Sequence, residues 1–133
     1  MAVDTAGNLY IADASGHRVL RIARFGIITV IAGNGLSGYS GDGGSARKAR
    51  LAFPQSIALD VSGNLFIADV LNHRIRKVSP EGNITTVAGD GEKGNSGDGG
   101  NAVRAQLDHP LSVAVDTAGN LYVALIPGPH HPQ

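Results

Sequence analysis

The chain has 133 residues, with eleven basic and eleven acidic side chains, a formal charge of zero and no cysteine. The balanced charge argues against a nucleic-acid binder, which usually carries a basic excess, and the absence of cysteine excludes disulfides and thiolate chemistry. No secretory signal opens the sequence, and no apolar run is long enough to span a bilayer, so the localisation stays unknown.

A repeat with a period of 56 residues runs through the sequence, as the spacing of Asp4, Asp60 and Asp116 shows. Residues 7–13 read GNLYIAD, and the later copies read GNLFIAD at 63–69 and GNLYVA at 119–124. A fixed long period is typical of repeat architectures, in which each unit buries its apolar face against the next.

The complete repeat contains four β-rich runs separated by turn residues, at 56–60, 64–69, 73–78 and 83–88. Gly63 and Asn64 are predicted to supply positive φ angles in the first turn, and Pro80 and Gly82 shape the last turn. The second run is apolar on both faces, which predicts a strand covered on both sides. Four antiparallel strands per unit predict an all-β fold built from propeller blades.

A glycine-rich connector follows each fourth run, as GYSGDGG at 38–44 and GNSGDGG at 94–100. Each copy then leads into helix formers, with Ser45 or Asn101 as a candidate N-cap, which predicts a single helical turn. The ending of a phosphate-binding loop is missing, and the one carboxylate per loop falls short of the roughly six to eight oxygens that calcium takes. We interpret Asp42 and Asp98 as acceptors of backbone N–H bonds within a structural connector, with ligand contact as the alternative.

Several of these motifs resemble the NHL repeat family. After the GNLFIAD run come NHR at 72–74 and a strand that ends in TVAG at 86–89. The insert and the spacing are similar to the bacterial version of the repeat, including the teneurin-type NHL domain. This resemblance implies a β-propeller, commonly of about six blades, and a full-length parent that is extracytoplasmic or secreted. Family members include protein-interaction platforms, RNA-binding surfaces, extracellular sensors and a metal-dependent lyase, and the fold alone does not choose among them.

The copies also depart from the motif. Gly16 replaces its Asn, and the third copy breaks after Ala124 into a proline-rich segment that cannot continue a sheet. We therefore predict a partial NHL propeller over residues 1–126, with repeats at approximately 1–55, 56–111 and 112–126, and a disordered Pro/His tail at 127–133. The two blades and a half are expected to be a fragment of a longer protein; alternatively, two chains associate through open blade faces into a six-bladed ring.

Recurring polar residues are the candidates for a site. The histidines at 17 and 73 recur ahead of arginine, which favours a turn-stabilising role over metal binding. Asp13 and Asp69 are predicted to accept backbone N–H bonds in turns and to pair with Arg18 and Arg74 in surface ion pairs worth ~1 kcal/mol or less. The candidate binding residues are Asp42, Asp69, Asn72, His73, Arg74 and Asp98.

No constellation of residues marks a catalytic centre, and no G-x-S-x-G elbow marks a nucleophile. We predict no catalytic residue, no metal and no cofactor, and a noncatalytic module that binds a protein or a small ligand of unknown identity. One alternative is part of a propeller enzyme, either a metal-dependent lyase or a lactonase-like protein. A third hypothesis is an RNA-binding surface around the basic run 74–77, which predicts salt-dependent binding of oligonucleotides.

Overall fold

A computed structural model of the chain describes residues 2–89 and 110–125. Blade 1 comprises β1 (Ala2–Val3), β2 (Leu9–Asp13), β3 (Arg18–Ile22) and β4 (Ile28–Ala32). Blade 2 comprises β5 (Pro54–Leu59), β6 (Leu65–Asp69), β7 (Arg74–Val78) and β8 (Ile84–Ala88), and blade 3 comprises β9 (Pro110–Val115) and β10 (Leu121–Leu125). Each blade is an antiparallel sheet with its strands in sequence order. The predicted fold class, two four-stranded propeller blades followed by a half blade, is confirmed.

Short 3-10 turns are the helical elements in the described ranges, at Ala46–Lys48 and Val70–Asn72. No helix among the described residues is long and apolar enough to cross a membrane. The first turn confirms the predicted helical turn after the glycine-rich loop. Ser45 occupies its N-cap position but makes no capping hydrogen bond with its side chain, so the capping role predicted for Ser45 is wrong.

An aspartate organises the hairpin between the first two strands of each blade. In blade 2, Asp60 Oδ1 accepts hydrogen bonds from the backbone N–H groups of Ser62 and Asn64, at 3.0 and 2.8 Å. The Asn64 side chain donates to the other carboxylate oxygen at 2.9 Å. Gly63 has the predicted positive φ, +89°. Asn64 does not have a positive φ, so that prediction is wrong; Asn64 contributes the side-chain hydrogen bond instead. The same arrangement surrounds Asp4 and Asp116.

Strand β6 lies at the centre of the core, and all five of its residues are buried. Leu65 and Ile67 pack into an apolar cluster shared with blade 1 and the connector, whereas Phe66 and Ala68 pack into a second cluster shared with blade 3. Successive residues of a strand point to opposite faces, so each face meets a different blade. This confirms the prediction of a strand covered on both sides, and each large apolar side chain buried there contributes about 1.5–3 kcal/mol.

In blades 1 and 2, the histidine of the His-Arg pair (His17, His73) contacts the glycine that follows the fourth strand (Gly33, Gly89). His17 and His73 are left-handed, each with a φ of 54°. A Cβ atom at Gly33 would lie 2.3 Å from the His17 carbonyl oxygen, and one at Gly89 would lie 2.3 Å from the His73 carbonyl oxygen. Only glycine fits against the turn at these positions, and both glycines also have positive φ angles. The recurrence of the two motifs in register therefore has a steric cause.

The connector between blades 1 and 2, residues 33–53, lies against blade 2 before it enters β5. Gly43 donates to the Ile84 carbonyl at 2.7 Å, and Ile84 donates to the Gly44 carbonyl at 2.9 Å. At the other end of the connector, the Phe53 N–H donates to His17 Nδ1 at 3.0 Å, so the side chain of that histidine holds the connector rather than its own turn. The connector therefore joins the loops of blade 1 to the outermost strand of blade 2.

Candidate functional site

Arg76 lies at the centre of the polar site, on β7, and its side chain is fully buried. Nη1 donates to Asp69 and to the Arg50 carbonyl, both at 3.1 Å. Nη2 donates to Asp42 and to the Ser40 carbonyl, both at 2.9 Å, and Nε donates to Asp42 at 3.2 Å. A guanidinium group has five N–H donors, and each of them has a partner here.

Asp69 ends β6 and is fully buried beside this guanidinium group. Its carboxylate accepts the N–H of Ala52 at 2.7 Å and the side-chain amide of Asn72 at 2.7 Å. The Asn72 amide also donates to the Gly38 carbonyl at 2.8 Å. Burial raises the pKa of the Asp69 carboxyl above its usual value, whereas the hydrogen bonds from Asn72 and Ala52 and the charge of Arg76 oppose that rise.

Two predictions about Asp69 are therefore wrong. The backbone N–H that it accepts belongs to Ala52 in the connector and not to a local turn. Its ion-pair partner is Arg76 rather than Arg74, and the pair is buried rather than at the surface. Residue 76 lies on the face of β7 that the connector covers. The corresponding prediction for blade 1 is confirmed, because Asp13 accepts from Arg18 at 3.0 Å.

Asp42 reaches the same site from the glycine-rich loop. Its carboxylate accepts from the hydroxyls of Tyr39, at 2.6 Å, and Thr86, at 2.5 Å, in addition to Arg76. Partial burial favours the neutral acid, but these two hydrogen bonds and the Arg76 charge outweigh it and lower the pKa of Asp42. Among the described residues, the groups that donate to Asp42 are all side chains. The prediction that Asp42 accepts backbone N–H bonds is therefore wrong.

The aromatic ring of Tyr39 completes the site. The guanidinium carbons of Arg74 and Arg76 lie 3.6 and 4.6 Å from the ring centroid, within the range of cation–π attraction. We call this set the Arg76 cluster; its members are Tyr39, Asp42, Asp69, Asn72, Arg74, Arg76 and Thr86.

The structure brings most of the predicted site residues to this one corner of blade 2. Asp42, Asp69, Asn72 and Arg74 belong to the Arg76 cluster, and His73 lies between the last two of them in the left-handed turn. Asp98 lies outside the described residues. Sequence reasoning missed Tyr39 and Thr86 as site residues, and it considered Arg76 only as part of the basic run 74–77. A signal for Arg76 exists, because blade 1 has Leu20 at the equivalent position, and a charge at an apolar position of a repeat needs a partner.

This geometry defines what the Arg76 cluster can do chemically. Because every N–H group of Arg76 has a partner within the fold, the guanidinium group has no donor left for a phosphate or a carboxylate ligand. The two carboxylates are likewise occupied by three donor groups each. The Arg76 cluster therefore fixes the connector on blade 2.

A second polar surface lies at the hairpin turns, where residues of all three blades line a cavity of about 310 Å³. Asp4, Asp60 and Asp116 contribute one carboxylate from each blade. Hydrogen bonds from Asn8 lower the pKa of Asp4, and hydrogen bonds from Asn120 lower the pKa of Asp116. Desolvation raises the pKa of Asp60, but the hydrogen bonds from Asn64 outweigh it, so this pKa is also lowered. Within residues 2–89 and 110–125, no three His, Asp or Glu side chains are grouped to hold a metal ion.

Antiparallel blades placed side by side, with a shared core on each face of β6, define a β-propeller protein. The family model described as the teneurin NHL domain matches residues 1–96, which is most of the chain. The chain belongs to the NHL-repeat family.

Its curated relatives include mouse teneurin-1, which is 35% identical over 92 residues, covering 59% of this chain and 3% of teneurin-1. Human NHL repeat-containing protein 2 is 32% identical over 114 residues, covering 84% of this chain and 15% of that protein. The chain thus spans only a small part of the relatives that it matches.

Solved structures share the fold. A Bacteroides thetaiotaomicron protein of unknown function has a TM-score of 0.79 at 24% identity, covering 90% of this chain and 30% of its own. An auxiliary nutrient binding protein from the same organism has a TM-score of 0.64 at 21% identity, with coverages of 87% and 32%. A streptogramin B lyase has a TM-score of 0.54 at 12% identity, with coverages of 94% and 39%. These likenesses show the propeller fold alone.

Proposed function

We propose that this NHL unit is a noncatalytic module that binds a protein or a small ligand. The observation that carries the proposal is the saturation of the Arg76 cluster, in which both carboxylates and the guanidinium group are occupied by partners within the fold. General acid–base or nucleophilic catalysis needs a side chain that is free to exchange a proton or attack a substrate.

The structural neighbours are compatible with this role but do not choose it. One is named a nutrient binding protein and another a lyase, so the same fold serves both binding and catalysis in other proteins. The choice depends on this chain's own residues, and the recurring ones hold turns or the connector. The chain covers 3% of mouse teneurin-1 and 15% of human NHL repeat-containing protein 2, so their activities and partners are not carried over to it.

A combined screen tests the proposal. The purified chain is screened against a small-molecule library by thermal shift, and each stabilising compound is then incubated with the chain, with and without added divalent metal. We expect at least one compound to raise the melting temperature saturably and to be recovered unchanged by mass spectrometry. Streptogramin B is included as an enzyme substrate, because of the lyase neighbour. Conversion of any compound by the chain, abolished by a chelator, would establish the enzyme alternative instead.

A second copy of this chain is a further candidate partner. Phe25, Ile27 and Ile28 on blade 1 are exposed by 89, 68 and 63%, and apolar surface of this kind favours contact with another chain. Light scattering over a dilution series measures it: a discrete dimer would support self-association, and a monomer at every concentration would contradict it.

A further inference from the structure

A groove between blades 1 and 2 has features that the fold does not require. Its volume is about 250 Å³, and it is lined by β2 to β4 on one side and by β5 to β7 with the following turn on the other. The lining is mixed: Val30, Ile31, Leu59, Leu65, Val78 and Pro80 form its apolar part, and polar and charged side chains form the rest. A groove of this size and lining fits a small organic molecule.

Two arginines, Arg21 and Arg47, add positive charge to this apolar groove. The one acidic residue of the lining is Glu81, an exposed residue in the turn between β7 and β8. Among the lining residues themselves, two guanidinium groups and one carboxylate give a net positive charge, and the Asp4 carboxylate lies behind the lining, where it accepts from the Tyr10 hydroxyl at 3.0 Å. Anionic groups are thus favoured there, since electrostatic attraction is stronger near a low-dielectric apolar wall than in bulk water.

Arg21 also has a hydrogen-bonding capacity that the described residues do not use. Its Nε atom is buried and has no hydrogen-bond partner within residues 2–89 and 110–125. The Tyr10 hydroxyl, which donates to Asp4 at 3.0 Å, lines the groove together with Arg21. A buried donor without an acceptor is unfavourable and calls for a partner. This contrasts with Arg76, whose five donors are all satisfied.

The repeat shows that these arginines are particular to this groove. At the positions 56 residues later, Lys77 replaces Arg21 and Val103 replaces Arg47, whereas Tyr10 recurs as Tyr122 in blade 3. Lys77 lies near Asp60, whose pKa its charge helps to lower. The pair of arginines does not recur, so the repeat pattern alone does not account for it.

We propose that this groove binds a small carboxylic acid with an apolar body. Arg21 and Arg47 are the residues that attract the carboxylate, and a guanidinium group can donate two parallel N–H bonds to the two oxygens of a carboxylate. The apolar body lies against the aliphatic wall. This proposal rests on the binding role proposed above and specifies its ligand class.

Isothermal titration calorimetry of the whole chain with phenylacetate tests the proposal, with 2-phenylethanol as the uncharged probe and inorganic phosphate as the anion without an apolar body. We expect saturable binding of phenylacetate, at least about tenfold tighter than that of either other probe. Equal affinity for 2-phenylethanol would show that the arginines do not contribute to binding. Equal affinity for phosphate would show that the apolar wall does not contribute. Either result overturns the proposal, and so does a failure of phenylacetate to bind.

Matched variants locate the site. Arg21→Gln and Arg47→Gln should each weaken phenylacetate binding by about tenfold or more, whereas Arg24→Gln should leave it unchanged, because Arg24 lies over Phe25 and does not line the groove. Circular dichroism verifies that each variant is folded, and if Arg21→Gln does not fold, the exposed Arg47 supplies the result. Unchanged affinity in the folded variants overturns the proposal.

The two proposals fail in different ways. If the library screen gives a ligand that is recovered unchanged and binds Arg21→Gln as well as the natural chain, while phenylacetate does not bind, the groove assignment is wrong and the binding role stands. If phenylacetate binding depends on Arg21 but a library compound is converted by the chain, the groove assignment stands and the noncatalytic role is wrong.

Discussion

Blades 1 and 2 carry the same aspartate at the end of their second strand and use it in different ways. In blade 1, Asp13 pairs with Arg18 at 3.0 Å, and the two side chains are 29 and 44% exposed. In blade 2, Asp69 pairs with Arg76 and both side chains are fully buried. The difference arises because Arg76 replaces Leu20 and the connector covers it. One residue that departs from the repeat thus converts a surface turn into a buried polar cluster.

The largest expected effect comes from removing the buried carboxylate. Asp69→Ala leaves Arg76 with an unmatched donor and a less compensated charge in the interior, and should lower the free energy of unfolding by about 3–5 kcal/mol. The matched Asp13→Ala change breaks an exposed pair and should cost about 1 kcal/mol or less. Urea denaturation of both variants measures the two values. Equal losses would show that burial does not distinguish the two aspartates.

A second comparison concerns a contact that both blades share. Gly33→Ala and Gly89→Ala each place a Cβ atom 2.3 Å from a histidine carbonyl oxygen at a positive φ, so each should cost about 2–4 kcal/mol, from overpacking and left-handed strain together. Gly26→Ala has a φ of +95° with nothing within 4 Å and should cost only about 1–2 kcal/mol. Thermal unfolding of the three variants tests this order. A cost at Gly26 as large as at Gly33 would assign the effect to backbone strain alone.

Acid should act through the hairpin aspartates. The pKa of Asp60 lies below its unfolded value of 3.8, so its ionised form stabilises the fold above that pH, and this contribution is lost as the pH falls through the folded pKa. Asp69 has the opposite sign, because burial raises its pKa. Between about pH 5 and pH 2, Asp60→Asn should therefore flatten the decline in stability measured by urea denaturation. An unchanged slope would exclude Asp60 as a source of the acid sensitivity.

The smallest effect is expected at an exposed hydroxyl that blade 2 lacks. Tyr122 donates to Asp116 at 3.0 Å, as Tyr10 donates to Asp4 at 3.0 Å, whereas blade 2 has Phe66 at this position. Tyr122→Phe should lower the melting temperature least of these variants, since this exposed hydrogen bond exchanges with water. Differential scanning calorimetry of the variant beside the natural chain measures the change. A decrease as large as that of Gly26→Ala would mean that the hydroxyl is more than a peripheral part of the turn.

The fold was largely readable from the sequence because its signals are local. The four strands of blade 2 begin and end within two residues of the predicted runs, since turn residues such as Gly63 and Gly82 bound them. The Arg76 cluster was not readable in the same way. Asp42 and Arg76 are 34 residues apart, and the path of the connector decides whether they meet. Beside Arg74 and Lys77, Arg76 has the pattern of a solvated basic run, and only its difference from Leu20 indicates burial.

The pairing of the connector with Ile84 has a further consequence for the outermost strand of blade 2. An edge strand of a sheet presents unpaired N–H and C=O groups, to which a strand of another molecule can add. Gly43 and Gly44 occupy the N–H and C=O groups of Ile84, at the point where β8 begins. The glycine-rich insert thus occupies the start of this edge strand, at Ile84, where strand addition would otherwise be open.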